Sequence, residues 1–226
     1  MAVYEHDVLV IGAGLAGMRA AIAAQQMGAD VAMISKVHPV RSHSNAAQGG
    51  INGPGVGEDG GPWEEHAQET TKASDYLGDQ DAIEVLAKEG GREVLQTEHW
   101  GVVYSRKPDG SMAVRRFGGM GKARTFFVGA ITGQAILHVL YEQLMRPSIF
   151  RAMRNYEEWF VTSLIMDEGQ CRGAVAMNIR TGELHAITAK ATIVCTGGLG
   201  RVYEPSTNAL ICTGDGISLA YRAGAP

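Results

Sequence analysis

The chain has 226 residues, 45% of them apolar, and a formal net charge of −4. This length is enough for one domain, or for one domain and part of another, with a substantial core. The sequence contains no long basic run and no apolar run long enough to cross a membrane, so it indicates neither a nucleic-acid-binding protein nor an integral membrane protein.

A βαβ unit opens the chain. Asp7–Ile11 is apolar and rich in β-branched residues, as expected of a buried strand. A helix over Leu15–Met27 follows, closed by Gly28, and a second strand covers Asp30–Ile34. The first strand begins almost at once, without the charged and apolar regions of a signal peptide, so we expect a cytoplasmic protein.

The turn between the first strand and the helix carries the pattern G-x-G-x-x-G at Gly12, Gly14 and Gly17. Gly12 permits a tight turn, Gly14 lets a diphosphate approach the backbone, and Gly17 lets the helix pack closely on the strand. The phosphates would lie on the N–H groups at the start of the helix. Glycines also mark ordinary turns, but the flanking strand and helix favour a dinucleotide site over a βαβ unit without a ligand.

The end of the second strand lacks a common feature of dinucleotide folds. An acidic residue usually stands there and holds the adenosine ribose. This chain has Ser35 and Lys36 instead, which argues against plain NAD as the ligand. The lysine either faces a diphosphate or a 2′-phosphate, or is a solvated loop residue.

Residues Val37–Gly61 form an unusually long segment rich in Gly, Ser, Asn and Pro. Long segments without regular structure are commonly functional or disordered. The first part has the composition of a loop that wraps a ligand, and the N–H groups near Gly49 and Gly50 are suited to a ring or an anion. His43 is a candidate nucleophile or base, or else an ordinary surface histidine.

Two helices are expected over Pro62–Tyr76 and Asp79–His99, with Asp79 as the N-cap of the second. The apolar face predicted for the second helix consists of Ile83, Leu86, Ala87 and Leu95. The acidic side chains expected on the solvated face of the first helix are Glu64, Glu65 and Glu69. Side chains expected to pack rather than to bind a metal are Trp63, His66, His99 and Trp100.

The segment Val102–Gly121 is irregular and basic. Arg115 and Arg116, next to Phe117, form either a wall for an anionic substrate or a pair of solvated arginines on a hairpin. An amphipathic helix is then expected over Gly129–Met145. Its buried or partly buried side chains are predicted to be Ile131, Ala135, Leu137, Val139, Leu140 and Leu144.

The last third of the chain is typical of a β-meander followed by a further buried strand. The predicted strands are Trp159–Met166, Arg172–Ile179, Glu183–Thr188 and Lys190–Cys195. A helix is expected over Ile217–Ala223, and Asp215 just before it is either a cap or a carboxylate that binds a ligand hydroxyl. The cysteines lack C-x-x-C spacing and are expected to be reduced thiols: Cys171, Cys195 and Cys212.

Several longer blocks carry a more specific signal. The run from Ile34 to Ser44, I-S-K-V-H-P-V-R-S-H-S, is followed by A-Q-G-G at Ala47–Gly50. The other blocks are Ser74–Tyr76 with Asp79–Asp81, Arg115–Gly119, Thr196–Gly198 with Gly200–Tyr203, and Thr213–Gly216. In this order they resemble the flavoprotein subunit of succinate dehydrogenase and fumarate reductase, and the resemblance covers essentially the whole chain.

The resemblance implies an α/β fold: a Rossmann-like, two-dinucleotide-binding FAD domain with a β-meander, spanning residues 1–226, with the capping domain absent from this chain. It implies FAD held covalently through an imidazole nitrogen of His43 and the flavin 8α-methyl group. The residues implied at the diphosphate are Gly12, Ala13, Gly14, Leu15, Ala16 and Gly17. Those implied at the adenosine half and the FAD as a whole are Ser35, Lys36, Trp159, Phe160, Val161 and Asp215. Those implied around the isoalloxazine are Ser44, Asn45, Ala46, Ala47, Gln48, Gly49 and Gly50.

The implied activity is the interconversion of succinate and fumarate by hydride transfer between a substrate carbon and flavin N5. Gln48, Gly49 and Phe117 match family positions that border the dicarboxylate. Electrons would pass to a separate iron–sulfur subunit and then to a membrane quinone site, so the membrane anchor subunits are indirect partners. The implied location is peripheral, on the cytoplasmic face of the inner (plasma) membrane.

In the family, the arginine that transfers a proton and the residues that clamp the two carboxylates lie downstream of these blocks. We therefore expect no catalytic residue within the 226 residues. Two alternatives remain: a flavin-binding fragment without turnover, and a non-covalent relative such as L-aspartate oxidase. His43 in the R-S-H triplet argues against the second, because such relatives lack this histidine.

Overall fold

The structure, a computed structural model, describes residues 1–57 and 60–225. It divides into two compact units. The first unit consists of Met1–Ala46 together with the chain from Leu140 onward, and the second of Ala47–Val139. Each unit is described separately below.

The strands are β1 (Val3–Ile11), β2 (Val31–Ser35), β3 (Ile51–Asn52), β4 (Val114–Arg115), β5 (Thr125–Phe126), β6 (Met153–Glu157), β7 (Trp159–Asp167), β8 (Gln170–Asn178) and β9 (Leu184–Val194). The helices are α1 (Leu15–Gln26), α2 (Trp63–Ala73), α3 (Gln80–Trp100), α4 (Thr132–Leu144), α5 (Pro147–Phe150) and α6 (Asp215–Arg222). None of these helices is both long and apolar enough to span a membrane.

The first unit is built on a six-stranded sheet in the order β6-β2-β1-β9-β8-β7. β6, β2, β1 and β9 run parallel, whereas β8 and β7 add antiparallel. The predicted βαβ unit is confirmed: β1 pairs with β2 from Val8↔Val31 to Ile11↔Ile34, and α1 connects them. Leu9, Ile11, Ala32 and Ile34 belong to the core cluster because parallel strands are buried on both faces.

Two of the strands predicted near the C-terminus are one strand. The prediction separated Glu183–Thr188 from Lys190–Cys195, but β9 continues through Ala189 and Lys190 without a break. The continuous pairing partner is β1, which begins at Val3, four residues before the predicted Asp7. The first half of β9 also pairs with β8, which completes the predicted meander.

One strand of the six-stranded sheet was not predicted. β6, with the sequence M-R-N-Y-E, lies at the sheet edge and pairs in parallel with β2. Its composition lacks the alternation that marks a half-buried strand. The long segment Val37–Gly61 is also more regular than expected, since it contains 3-10 turns at Pro39–Arg41 and His43–Ala46 and the short strand β3.

The second unit contains α2, α3 and a three-stranded sheet in the order β3-β5-β4. Asp79 caps α3 as predicted, because its carboxylate accepts hydrogen bonds from the N–H groups of Asp81 and Ala82. The predicted apolar face of α3 is wrong in part: Ala87 is buried, but Leu86 is 59% exposed and Leu95 38% exposed.

α3 packs through small residues instead. Its buried residues are Ala87, Gly91, Val94 and Thr97. A side chain at Gly91 would place its Cβ 2.2 Å from the carbonyl oxygen of Pro54, so the close approach of backbone to helix requires glycine there.

The boundary between the units falls within α4. This helix begins at Thr132 rather than at the predicted Gly129, and Ile131, which was expected to be buried, is 51% exposed. Leu137, Leu140 and Leu144 are buried as predicted. His138 is exposed.

Candidate functional site

A cavity of about 520 Å³ opens in the first unit at the carboxyl ends of β1, β2 and β9. Ligands of open α/β sheets bind at this edge, and the volume is in the range of cofactor sites. Many of the predicted cofactor-binding residues line it: Gly12, Ala13, Gly14, Leu15, Ala16, Ser35, Lys36, His43, Ser44, Trp159, Phe160, Val161 and Asp215. The structure therefore brings together residues that are up to two hundred positions apart in the chain.

The backbone packs so closely around the glycine turn after β1 that a residue with a side chain does not fit at Gly12 or Gly17. Gly12 has a φ of +107°, and an added Cβ would lie 2.2 Å from the carbonyl oxygen of Cys195 on the neighbouring strand. A Cβ on Gly17 would lie 1.8 Å from the carbonyl oxygen of Gly12. Gly17 is thus buried against the turn, and it contributes close packing rather than lining the cavity.

The N-terminus of α1 has the properties of an anion site. Gly14 is its N-cap, no side chain caps the first turn, and no acidic residue lies in that turn. The first N–H groups of the helix and its dipole therefore favour a negative ligand. The atoms nearest to a Cβ on Gly14 would be those of Ser42 and Ser44, at 3.6–3.8 Å, so the absence of a side chain leaves an open cradle.

Ser42 supplies a further polar group at this cradle. Its hydroxyl Oγ is buried and has no hydrogen-bond partner among the described residues, although the side chain lines the cavity. A buried hydroxyl without a partner is costly, and an anionic oxygen would satisfy it. The glycine cradle, the helix N-terminus and this hydroxyl together fit the diphosphate of a dinucleotide.

Lys36 and Asp215 form an ion pair at the cavity wall. The Lys36 ammonium donates to the Asp215 carboxylate and, at 2.7 Å, to the hydroxyl of Thr213, which in turn donates to Asp215 at 2.8 Å. Burial raises the pKa of Asp215, but the hydrogen bonds from Lys36 and Thr213 outweigh it, so the pKa lies below its ordinary value. Lys36 is therefore not a solvated loop lysine, and Asp215 is an ionised acceptor beside the cavity.

His43 lies in the 3-10 turn His43–Ala46 and lines the same cavity. Its Nδ1 accepts a hydrogen bond of 3.1 Å from the N–H of Ala209. Two other predicted residues of this turn, Asn45 and Ala46, are exposed and are not part of the cavity lining.

The remaining predicted residues belong to the second unit. There Arg115 donates through Nε and Nη2 to the carbonyl oxygens of Gln48 and Gly49, and its guanidinium carbon lies 4.4 Å from the ring centre of Phe127. A Cβ on Gly49 would lie 3.1 Å from the ring of Phe117. Arg115 is thus neither a free anion-binding wall nor a solvated side chain, because it holds the Gln48–Gly49 backbone.

Sequence reasoning did not assign part of the cavity lining. The unassigned residues include Thr196, Gly197, Gly198, Asn208, Ile211, Cys212, Gly214 and Gly216. The T-G-G and T-G-D-G glycines gave a signal: a Cβ on Gly216 would lie 1.8 Å from Thr196 Oγ1, so the start of α6 packs directly on the end of β9. Asn208 and Ile211 carried no such signal.

A buried cation in the second unit was also missed. Arg124 is fully buried, and its guanidinium donates to Glu69 Oε2 at 2.6 Å, to Glu65 Oε2 at 3.4 Å and to the carbonyl oxygen of Gly60 at 3.1 Å. The prediction that Glu65 and Glu69 lie on a solvated face of α2 is therefore wrong. Both side chains bind Arg124 and so anchor the helix. Burial is the main cause of a lowered pKa at His66 on the same helix, and the positive charge of Arg124 lowers this pKa further.

The cysteines are unpaired in the structure, and no cluster of His, Cys, Asp and Glu side chains in residues 1–57 and 60–225 is arranged to hold a metal ion. Burial raises the pKa of the Cys195 thiol, so it remains protonated beside the glycine turn.

Comparison with known proteins shows the family to which the chain belongs. The family described as FAD binding domain matches residues 7–226. The fumarate reductase flavoprotein subunit of Mycobacterium tuberculosis (strain H37Rv) is 48% identical over 98% of this chain and 38% of its own length. The succinate dehydrogenase flavoprotein subunit of Rickettsia bellii is 44% identical over 99% of this chain and 38% of its own length.

A solved structure described as quinol–fumarate reductase with menaquinol molecules has a TM-score of 0.89 and 42% identity, covering 99% of this chain and 38% of the matched chain. The chain thus spans less than two fifths of the length of these relatives. Its α/β fold is that of their FAD-binding domain. Over nearly all of its length, the chain is similar to flavoprotein subunits of fumarate reductase and succinate dehydrogenase. It belongs to the FAD-binding domain family.

Proposed function

We propose that this chain is the FAD-binding part of an oxidoreductase that interconverts succinate and fumarate. The observation that carries the proposal is the cavity at the end of β1, where the glycine cradle, the α1 N-terminus and the unpartnered Ser42 hydroxyl fit a dinucleotide diphosphate. The names of the similar flavoprotein subunits supply the substrates.

The proposed FAD site uses the cavity residues in three groups. The turn from Gly12 to Ala16 holds the diphosphate on backbone N–H groups, where the helix dipole favours negative charge. The pair of Lys36 and Asp215 faces the adenosine half, with the carboxylate available to accept from a ribose hydroxyl. The backbone of Trp159–Val161 at the start of β7 lines the adenine side.

His43 is the proposed point of covalent attachment. A neutral imidazole is a good nucleophile at physiological pH, and its position on the cavity lining supports this role. Attachment would prevent dissociation of the cofactor and raise its reduction potential, which favours electron transfer from succinate.

The proposed substrate-bordering residues are Gln48, Gly49 and Phe117 in the second unit. When bound, FAD supplies the hydride acceptor or donor; the chain supplies a loop held in shape by Arg115, which donates to the carbonyl oxygens of Gln48 and Gly49. We assign no proton-transfer residue within these 226 residues.

The proposed electron partners are an iron–sulfur subunit and, through it, a membrane quinone site. The relatives are named as subunits, and the similar solved structure contains menaquinol, which supports a quinone-linked assembly. We propose peripheral attachment on the cytoplasmic side of the plasma membrane, through those partners.

The test is acid precipitation of the purified protein, washing, and a denaturing gel viewed for flavin fluorescence. A fluorescent band from the unmodified chain, absent in His43→Ser but kept in the surface control His138→Ser, is the expected result. His43→Ser should still bind FAD reversibly, because the diphosphate cradle is intact. Acid-stable flavin in His43→Ser would refute the attachment site, and reversible FAD alone in the unmodified chain would favour a relative of the L-aspartate oxidase type.

A further inference from the structure

Asn208 is a polar residue of the cavity lining that the proposed function leaves without a role. Its carboxamide makes no hydrogen bond within the part of the chain that the structure describes. Lys36 and Asp215 on the same lining differ from it, because they already bind each other. An unengaged carboxamide offers two N–H donors and an acceptor oxygen, so Asn208 has hydrogen bonds to give to a bound molecule.

The backbone is fixed on both sides of Asn208. Its own N–H donates to the hydroxyl oxygen of Ser206 at 3.2 Å. The N–H of the next residue, Ala209, donates to His43 Nδ1 at 3.1 Å. The carbonyl oxygen of Ala209 accepts from the N–H of Cys212 at 3.0 Å. The Asn208 side chain therefore starts from an ordered point of the cavity wall, beside His43.

Gly200 fixes the place of the carboxamide. A Cβ on Gly200 would lie 2.5 Å from Cγ and Oδ1 of Asn208 and 2.9 Å from its Nδ2, and these would be the nearest atoms. Gly200 does not have a positive φ, so the close approach of the carboxamide, rather than the backbone conformation, excludes a side chain there. The glycine thus leaves room for the carboxamide at the cavity wall.

The neighbours of Asn208 indicate which part of the cofactor it meets. Ser42 supplies the unpartnered hydroxyl at the proposed diphosphate site, and the next residue, His43, accepts from the peptide group between Asn208 and Ala209. In FAD the ribityl chain joins the diphosphate to the isoalloxazine, and its hydroxyl groups both donate and accept, as a carboxamide does. We propose that the Asn208 carboxamide binds a ribityl hydroxyl, and that Gly200 keeps it in place. This inference rests on the proposed FAD site.

The test compares the binding of FAD and of ADP, which contains the diphosphate and the adenosine but no ribityl chain or ring. Asn208→Ala removes the carboxamide. Thr207→Ala is the matched control, because Thr207 is exposed in the same loop and does not line the cavity. We expect Asn208→Ala to bind FAD roughly three- to tenfold more weakly, the worth of one hydrogen bond, and to bind ADP as the unmodified chain does. Thr207→Ala should bind both with unchanged affinity.

Unchanged FAD affinity in Asn208→Ala would overturn the inference, and so would an equal loss of affinity for ADP. An FAD analogue methylated at ring nitrogen N3 separates the ribityl chain from the imide of the ring. The loss in Asn208→Ala should persist with this analogue, and its disappearance would assign the carboxamide to the imide instead. Failure of the unmodified chain to bind FAD would refute the proposed FAD site itself, and this inference with it.

Gly200→Ala tests the same contact without removing the carboxamide. Its Cβ should displace the Asn208 side chain, so FAD affinity should fall, whereas adding Gly200→Ala to Asn208→Ala should cause no further loss. Additive losses would contradict the role of Gly200. If Asn208→Ala does not fold, proton–nitrogen NMR of the unmodified chain decides: the Asn208 carboxamide resonances should shift with FAD but not with ADP. No shift with FAD would overturn the inference.

Discussion

Gly12 and Gly14 stand two residues apart in one turn, but a side chain at each has a different consequence. At Gly12 the positive φ and the 2.2 Å approach of the Cys195 carbonyl oxygen leave no room. At Gly14 the backbone is extended, with φ −76° and ψ −165°, and an added Cβ makes only ordinary contacts with two serines. The first glycine is therefore required by the fold, whereas the second is required only by the proposed ligand.

This difference gives a prediction at the residue scale. Gly14→Val should fold with stability within about 1 kcal/mol of the unmodified chain and should lose FAD binding, because the side chain fills the diphosphate cradle. Gly12→Ala should lose about 3 kcal/mol of stability from backbone strain and the clash with β9. Thermal unfolding and FAD titration of both variants separate the two effects. A Gly14→Val protein that purifies with bound FAD would contradict the placement of the diphosphate.

At the scale of elements, the buried Arg124 shows how a helix can be anchored by charge. Its guanidinium joins Glu65 and Glu69 on α2 to the carbonyl oxygen of Gly60, and Lys122 adds a 3.2 Å ion pair to Glu65. Removing one partner of a buried ion pair leaves the other charges without compensation. α2 has little apolar surface of its own, so these ion pairs with Arg124 contribute much of the interaction that holds α2 within the second unit.

We therefore predict that Arg124→Met destabilises the chain by about 3 kcal/mol, since the carboxylates of α2 are left unpaired. Arg116→Met is the control: Arg116 is exposed and makes one hydrogen bond to the Met120 carbonyl oxygen, so its loss should change stability by less than about 0.5 kcal/mol. Urea denaturation measures both. Equal stability of the two variants would show that Arg124 does not anchor α2.

The same scale shows what the sequence could predict. The βαβ unit was predictable because strand, glycines and helix lie within thirty residues and each has a local signature. β6 and the continuity of β9 depend on pairing with β2 and β1, which are distant in sequence. The face of α3 was misjudged because it packs through Ala87 and Gly91, and small residues carry no hydrophobic periodicity. The Arg124 anchor and the Ala209 contact of His43 likewise arise only on folding.

At the scale of the whole chain, the residues proposed to bind the cofactor and those proposed to border the substrate belong to different units. The residues of the dinucleotide cavity all belong to the first unit, whereas Gln48, Gly49 and Phe117 belong to the second. In the second unit, Arg115 is engaged with loop carbonyl oxygens and Arg124 with two carboxylates, so both arginines already have partners within the unit. The residues proposed to bind the cofactor and those proposed to border the substrate can therefore be tested separately.

We predict that the purified 226-residue chain binds FAD but does not reduce fumarate with reduced viologen as the electron donor. Its cavity supplies groups that fit the proposed FAD, whereas the resemblance implies that the proton donor and the carboxylate clamp lie downstream of the blocks that this chain carries. FAD binding is measured by fluorescence titration, and turnover by viologen reoxidation in the same preparation. A rate that rises in proportion to bound FAD would contradict the prediction and would place a proton donor within this chain. The variant to make next would then be Arg116→Gln, because Arg116 is the exposed cation beside Phe117.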